Sequence, residues 1–278
     1  MTQSVPPVPE TLPPALPQMP SRPPKRGGTF RVITALMLRE MSTTYGRSAL
    51  GYLWAILEPV GGILIMSFLF TLAFRSPGIG TNFPLFFASG VLPYNTFTDL
   101  MGKSASAIRF SKPLLFYPGV TFMDAILARV IMNAITQVMI SAIVLTGILW
   151  IYDVDVILDM PRIIEGFAMA IALGVGIGTL NAFFFAMSPF WERIWSVLTR
   201  PLFLLSCIIF VYDQVPQPYR DYLWWNPAVH IVGKVRQGVY ATYDASYVSP
   251  LYVMGVAAVT FTLGILFLRR FHHDIINM

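Results

Sequence analysis

The sequence predicts an all-α integral membrane protein of six transmembrane helices, with an N-terminal amphipathic interface helix and an outer re-entrant helical hairpin. Three observations carry that prediction. Apolar residues make up 55% of the 278-residue chain and charged residues only 12%, a balance typical of membrane proteins. The apolar residues come in long blocks and not in the short alternation of half-buried strands. Several blocks reach the ~20 residues that a helix needs to cross ~30 Å of hydrocarbon.

In chain order, Met1 to Pro24 holds nine prolines and almost no core formers, which predicts an extended, solvated tail over 1–28. Thr29 to Tyr45, TFRVITALMLREMSTTY, places Phe30, Ile33, Met37 and Met41 on one helical face and Arg31, Thr34, Arg39 and Ser42 elsewhere. This stretch is too polar to span and too apolar to float, so it is predicted to lie in the cytoplasmic interface plane. Four spans are clear: Tyr52 to Phe74, Ala125 to Ile151, Phe167 to Met187 and Ser246 to Leu268. Two more are interrupted, Phe83 to Ser106 by Pro93 and Asp99, and Ile194 to Tyr212 by Arg200 and Pro201.

The connections have their own signals. Ser111 to Asp124, SKPLLFYPGVTFMD, carries the apolar cluster Leu114, Leu115, Phe116 and Tyr117 before Pro118; such a patch either docks a partner or folds back on the membrane surface. In Val211 to Tyr240, Asn226 and Pro227 are a cap and a first-turn proline that start a helix. His230, Lys234 and Gln237 then share one face, and Tyr219 to Trp225 precedes them as a short aromatic piece. Neither piece is long enough to span, so 213–240 is predicted as a half-inserted hairpin buried in protein or lining a cavity.

Basic residues set the orientation, because Lys and Arg near helix ends are retained in the cytoplasm. With the N-terminus inside, Arg22, Lys25, Arg26, Arg31, Arg39, Arg47, Lys103, Arg109, Lys112, Arg193, Arg269 and Arg270 are cytoplasmic. The outer side holds Arg75, Arg162, Arg220, Lys234 and Arg236, together with the acidic loop Tyr152 to Gly166. Both termini are therefore predicted cytoplasmic. The N-terminus shows no signal peptide, so the first span is expected to direct insertion.

Catalytic constellations are missing from the sequence. His230, His272 and His273 form no HExxH, Cys207 is the single cysteine, and Gly102-Lys103-Ser104 has Phe97 where a phosphate-binding loop needs glycine. Gly174 and Gly178 read as a close-packing pair within an apolar span. Glu58, Asp99, Arg129 and Arg200 stand out as ionisable residues within spans, which are costly and mark either pathways or buried pairs. Glu58 either anchors or pairs with a cation such as Arg47 or Arg200, or hydrogen-bonds passing hydroxyls; Pro59 beside it removes a helix donor and permits a bend. Interfacial aromatics such as Tyr52, Trp54, Trp224 and Trp225 suit a membrane belt or a sugar chain.

The run ALMLREMSTTYGRSALGYLWAILEP (Ala35 to Pro59), with FPLFFASGVLPYNTF, RPLFLLSCIIF and LWWNPAVHIVGKVRQGVY, resembles the permease subunits of ATP-binding-cassette polysaccharide exporters. The likeness is closest to their capsular polysaccharide branch and covers nearly the whole chain from Thr29. The proline-rich tail departs from the family pattern. The resemblance implies a bacterial inner-membrane transporter subunit, not an enzyme. It further implies a channel at a homodimer interface for a lipid-linked polysaccharide, with ATP and Mg bound by two separate cytoplasmic subunits and no cofactor in this chain. The implied export partners are a periplasmic polysaccharide co-polymerase and an outer-membrane export protein.

Residue by residue, the implied channel or gate comprises Tyr52, Trp54, Glu58, Pro59, Arg200, Trp224, Trp225, His230, Lys234 and Arg236. Arg39, Glu40 and Arg47 flank the implied substrate entrance. Coupling to the ATPase falls on 111–124, including Leu115, Phe116, Tyr117 and Pro118, and on Pro189, Phe190 and Glu192. The alternatives are exporters of lipid-linked O-antigen or teichoic acid and, from another class, a membrane-embedded glycan-assembly enzyme or scaffold.

Overall fold

The computed structural model describes residues 28–44, 50–111 and 121–271. Its helices are α1 (Gly28–Thr44), α2 (Leu50–Ala73), α3 (Phe83–Ala105), α4 (Ala107–Ser111), α5 (Phe122–Ile151), α6 (Met160–Met187), α7 (Pro189–Leu205), α8 (Tyr219–Trp224), α9 (Pro227–Val239) and α10 (Pro250–Arg270). No strand occurs among the described residues. Among the described residues, four helices are long and apolar enough to cross a membrane, over Leu53–Ala73, Phe122–Ile151, Met160–Met187 and Pro250–Arg270, consistent with an integral membrane protein.

The fold is organised on α6, which packs against α3, α10 and α9. Its glycines explain how three helices come so close. A Cβ added at Gly174 would lie 2.7 Å from the Phe97 carbonyl oxygen, and one at Gly178 2.6 Å from that of Met101, both on α3. Gly176, on the opposite face, meets the Ala257 carbonyl oxygen of α10. Small residues thus let backbones touch, which is how helices associate where no hydrophobic drive separates protein from lipid.

Helix α3 is buried around most of its circumference, its core side chains including Phe86, Phe87, Phe97 and Leu100. Its one open stripe is Asn95, Thr98, Asp99, Gly102 and Lys103, residues that share a face at helical spacing. Asn82 caps this helix by accepting from Leu85 N at 3.2 Å. Thr121 and Asp124 form a capping box that starts α5, satisfying donors that a helix start leaves orphaned.

One boundary differs from the sequence reading. The expected span Ile194 to Tyr212 is not one helix: α7 begins at Pro189 and stops at Leu205, and Cys207 takes a positive φ of 57°. The cause lies in α9, where a buried arginine holds the carbonyls that follow α7. Of the expected coupling helix 111–124, Ser111 ends α4, Thr121 caps α5 and Phe122 to Asp124 belong to α5; 112–120 lie outside the described residues.

Candidate functional site

A polar cleft of about 330 Å³ opens between α2, α3 and α5, lined by Trp54, Ala55, Glu58, Pro59, Asn95, Asp99, Lys103, Asn133, Gln137 and Ile140. Each helix contributes through its period: Asn95, Asp99 and Lys103 follow one another at four-residue steps, as do Asn133 and Gln137. At ~1.5 Å per residue Glu58 lies about 12 Å along α2, and Asp99 about 9 Å from the end of α3, so the cleft sits in the half nearest the start of α2. Gln137 Nε2 donates to Asp99 Oδ2. Asn133 Nδ2 donates to the Arg129 carbonyl at 2.8 Å, which leaves its side-chain oxygen available.

Glu58 is exposed at the cleft and forms no ion pair with Arg200 among the described residues. Helix α2 continues through Pro59. The missing proline N–H leaves the Ala55 carbonyl without its helical partner, adding a backbone acceptor to the lining. Trp54 is 69% exposed at the same mouth. The described cleft therefore offers two carboxylates, one ammonium, three carboxamides and an indole face. The side chain of Tyr52 and all of Arg47 lie outside the described residues.

Below the cleft, α1 is held by a buried ion pair. Arg129 Nε donates to both Glu40 oxygens, at 3.0 and 2.9 Å, while its Nη1 reaches Ser106 Oγ at 2.9 Å. The guanidinium also lies 4.2 Å from the Phe110 ring centroid, and Arg39 approaches the same ring at 5.2 Å. A buried charge is tolerated only when paired and hydrogen-bonded, and Arg129 meets both conditions. Glu40, expected at a substrate entrance, is thus buried as the anchor of α1 on α5.

The segment from the end of α7 through α9 forms a second polar assembly. Arg236, 1% exposed, donates from Nη1 to the Cys207 and Phe210 carbonyls at 2.6 and 3.0 Å and from Nη2 to the Ile208 carbonyl at 2.7 Å. Its guanidinium stacks 4.3 Å from the Phe86 ring centroid. Asn226 joins in by capping α9 through Ala228 N and donating to the Leu205 carbonyl at the end of α7, each at 3.0 Å. The break after α7 is therefore a satisfied irregular segment, as backbone away from water must be.

His230 is fully buried in α9. Ser249 N donates to its Nδ1 at 3.1 Å, and its Nε2 lies 2.8 Å from the Trp224 carbonyl. Only a neutral ring protonated at Nε2 satisfies both contacts, and burial pushes its pKa below the usual value. Trp224 stacks on Tyr252 at 5.1 Å and donates to the Tyr247 carbonyl at 3.1 Å. Lys234 pairs with Glu165 at 2.8 Å. Of the expected gate residues, Trp225 and Arg200 are exposed, whereas His230 and Arg236 are internal fasteners.

On the opposite face, Arg109 of α4 pairs with Glu192 of α7 at 2.8 Å and donates to the Phe185 carbonyl at 3.3 Å. Phe190 is 69% exposed beside it, and Pro189 starts the same helix. The pair ties the chain just before 112–120 to the start of α7. Leu115, Phe116, Tyr117 and Pro118 lie outside the described residues.

A family profile described as ABC-2 type transporter matches residues 31–240, from α1 through the end of α9. The chain belongs to the ABC-2 type transporter family. It is 32% identical over 238 residues to the Escherichia coli polysialic acid transport protein KpsM, covering 85% of this chain and 92% of that one. It is 26% identical over 243 residues to the capsule polysaccharide export inner-membrane protein CtrC of Neisseria meningitidis, with 87% and 91% covered. For the corresponding BexB of Haemophilus influenzae the identity is 25% over 254 residues, with the same coverage.

Within this ABC-2 chain, the structure brings Trp54, Glu58 and Pro59 together with polar residues that sequence reading did not group. Asp99 stands out in the sequence as an ionisable residue in an apolar stretch, whereas Asn95, Lys103, Asn133 and Gln137 carry no such mark. The signal was present in the four-residue spacing on two helices. Periodicity identifies a face; it does not say which two faces meet.

Proposed function

We propose that the chain is the transmembrane subunit of an ATP-driven exporter that moves lipid-linked capsular polysaccharide from the cytoplasm to the periplasm of a bacterium, through a channel at a homodimer interface. The observation that carries this reading is the extent of the similarity to named capsule exporters, which runs through nearly the full length of both chains. The polar cleft between spanning helices supports it, since a hydroxyl-rich polymer needs hydrogen-bonding walls inside a membrane protein.

In this reading α3 and the α7 region complete six spans, both termini are cytoplasmic, and α8 and α9 form the outer re-entrant gate. Two ATP-binding subunits, which hold ATP and Mg, dock at 111–124 and at Pro189, Phe190 and Glu192. The exit side meets a periplasmic co-polymerase and an outer-membrane export protein. The test is fractionation of polysaccharide in cells lacking this chain, against the complemented strain. Polymer trapped inside with none on the surface is the expected result; normal surface polymer would overturn the reading.

A further inference from the structure

We propose that the cleft between α2, α3 and α5 is completed across the homodimer interface by Arg200 of the partner subunit, which pairs with Glu58. This rests on the homodimer reading above and names the side chains that meet there. The cleft that one chain builds is electrically incomplete. Asp99 accepts from Gln137 and stands one turn from Lys103, whereas Glu58 has no ion-pair partner among the described residues. The described lining keeps one net negative charge, and such a charge on a spanning helix is costly.

Arg200 is the matching orphan. It is exposed on α7 and forms no ion pair among the described residues. The two helices that carry these charges are also poorly covered. Of the four spanning-capable helices α2 is the least buried, and α7 has no buried residue. Leu57, Leu64 and Phe68 of α2 and Val197 and Leu204 of α7 are exposed. A second copy of this chain is the occupant that covers both faces and brings a charge of the required sign to each.

Depth agrees with the pairing. Arg109, just beyond α3, pairs with Glu192 near the start of α7. Tyr94 of α3 packs edge-on against Phe203 of α7 at 5.5 Å, so the two helices run antiparallel with a fixed level between them. From that contact towards the end of α3, Asp99 is five residues on, about 7.5 Å, and Arg200 is three residues back along α7, about 4.5 Å. Arg200 therefore lies within about 3 Å of the level of Asp99, a gap that an arginine side chain spans. Two copies inserted the same way are related by a two-fold axis along the membrane normal, which preserves depth. The interface is then isologous and the pair forms twice. Each arginine brings its cleft to neutrality, and each ion is paired as charges away from water must be.

The experiment uses two differently tagged full-length copies co-expressed in one membrane, one carrying Glu58→Cys and the other Arg200→Cys, treated with a short bismaleimide. A reagent that spans a gap is needed, because a disulfide demands closer backbones than a Glu–Arg pair does. The native Cys207 is buried, so wild-type copies serve as the unreacted blank. A linked species carrying both tags is expected. Trp150→Cys with Arg200→Cys should give none, since Trp150 lies about 20 Å beyond Gln137 along α5. Charge reversal supplies a second readout, by single-molecule photobleaching of labelled chain in vesicles of decreasing protein density. Glu58→Arg or Arg200→Glu alone should weaken dimerisation about tenfold or more, as loss of a close interfacial charge pair does, and the two together in every copy should restore it.

Dimers that give no linked species, equal linking of the Trp150 pair, or a doubly reversed chain no better than the single variants would each sink the pairing while leaving the homodimer reading intact. A chain carrying both cysteines that links only within itself also refutes it, by placing the pair inside one protomer. A wild-type chain that stays monomeric at every density removes the homodimer reading and the pairing with it.

Discussion

Arg236→Met should be strongly destabilising, and the size of the effect follows from the contacts. The guanidinium satisfies the carbonyls of Cys207, Ile208 and Phe210, none of which has a regular helical partner where the chain leaves α7. Each hydrogen bond to a charged group is worth about 1.5–3 kcal/mol net. Methionine would leave three carbonyls unsatisfied at about 1–3 kcal/mol each, and relief of the arginine's own desolvation offsets part of that sum, so about 3–5 kcal/mol is expected. Cys207 adds a left-handed backbone that costs about 1–2 kcal/mol for a non-glycine residue, and Arg236 is what holds its carbonyl. For a chain of this size the loss corresponds to a melting point roughly 6–20 °C lower. Arg236→Lys keeps the charge but has no planar fork to span three acceptors, and should fall between. Thermal unfolding of the purified chain in detergent reads the effect. A melting point within about 2 °C of wild type for Arg236→Met would refute the reasoning.

Glu40→Ala should cost about 3–5 kcal/mol and free α1 from α5, because Arg129 is left buried without its acid; limited proteolysis before Leu50 checks it, and the double variant with Arg129→Met should be no worse than the single one. Gly178→Ala places a methyl group 2.6 Å from a backbone oxygen and should lower stability by about 1–3 kcal/mol, whereas Gly62→Ala meets nothing within 4 Å and should be neutral or slightly stabilising; paired melting curves decide. His230 contributes a pH dependence. Its folded pKa is lowered from 6.5 by burial, so its contribution is complete above pH 6.5 and is lost as pH falls from there through the lowered value. His230→Gln should flatten the melting profile between pH 8 and pH 5.

Much of this architecture is legible in composition and period alone. The long apolar blocks match the four described helices long and apolar enough to span, and Asn226-Pro227 marks the start of α9 because an asparagine cap and a first-turn proline act locally. The Gly174 and Gly178 pair pointed to close packing for a reason that also operates at short range. The end of α7 was not legible. Residues 206–211 are apolar enough to continue a span, and what stops the helix is an arginine more than twenty residues later in sequence. A tertiary contact that draws carbonyls out of a helix leaves no local trace.

The charged residues on the spans teach the same lesson about function. Hydropathy marks Glu58, Asp99 and Arg129 alike as expensive, yet their environments separate them. Arg129 is saturated by Glu40 of α1, Ser106 and a phenylalanine ring. Its cost is offset at home, and nothing about it needs a ligand. Glu58 and Asp99 instead face a cleft with lone pairs beyond the one that Gln137 occupies. In a medium of low dielectric an incompletely satisfied carboxylate persists only where water or a polar passenger reaches it. The separation between structural and functional charge in this chain is therefore read from the number of acceptor positions left open and the space in front of them, and both criteria select the same three helices, α2, α3 and α5.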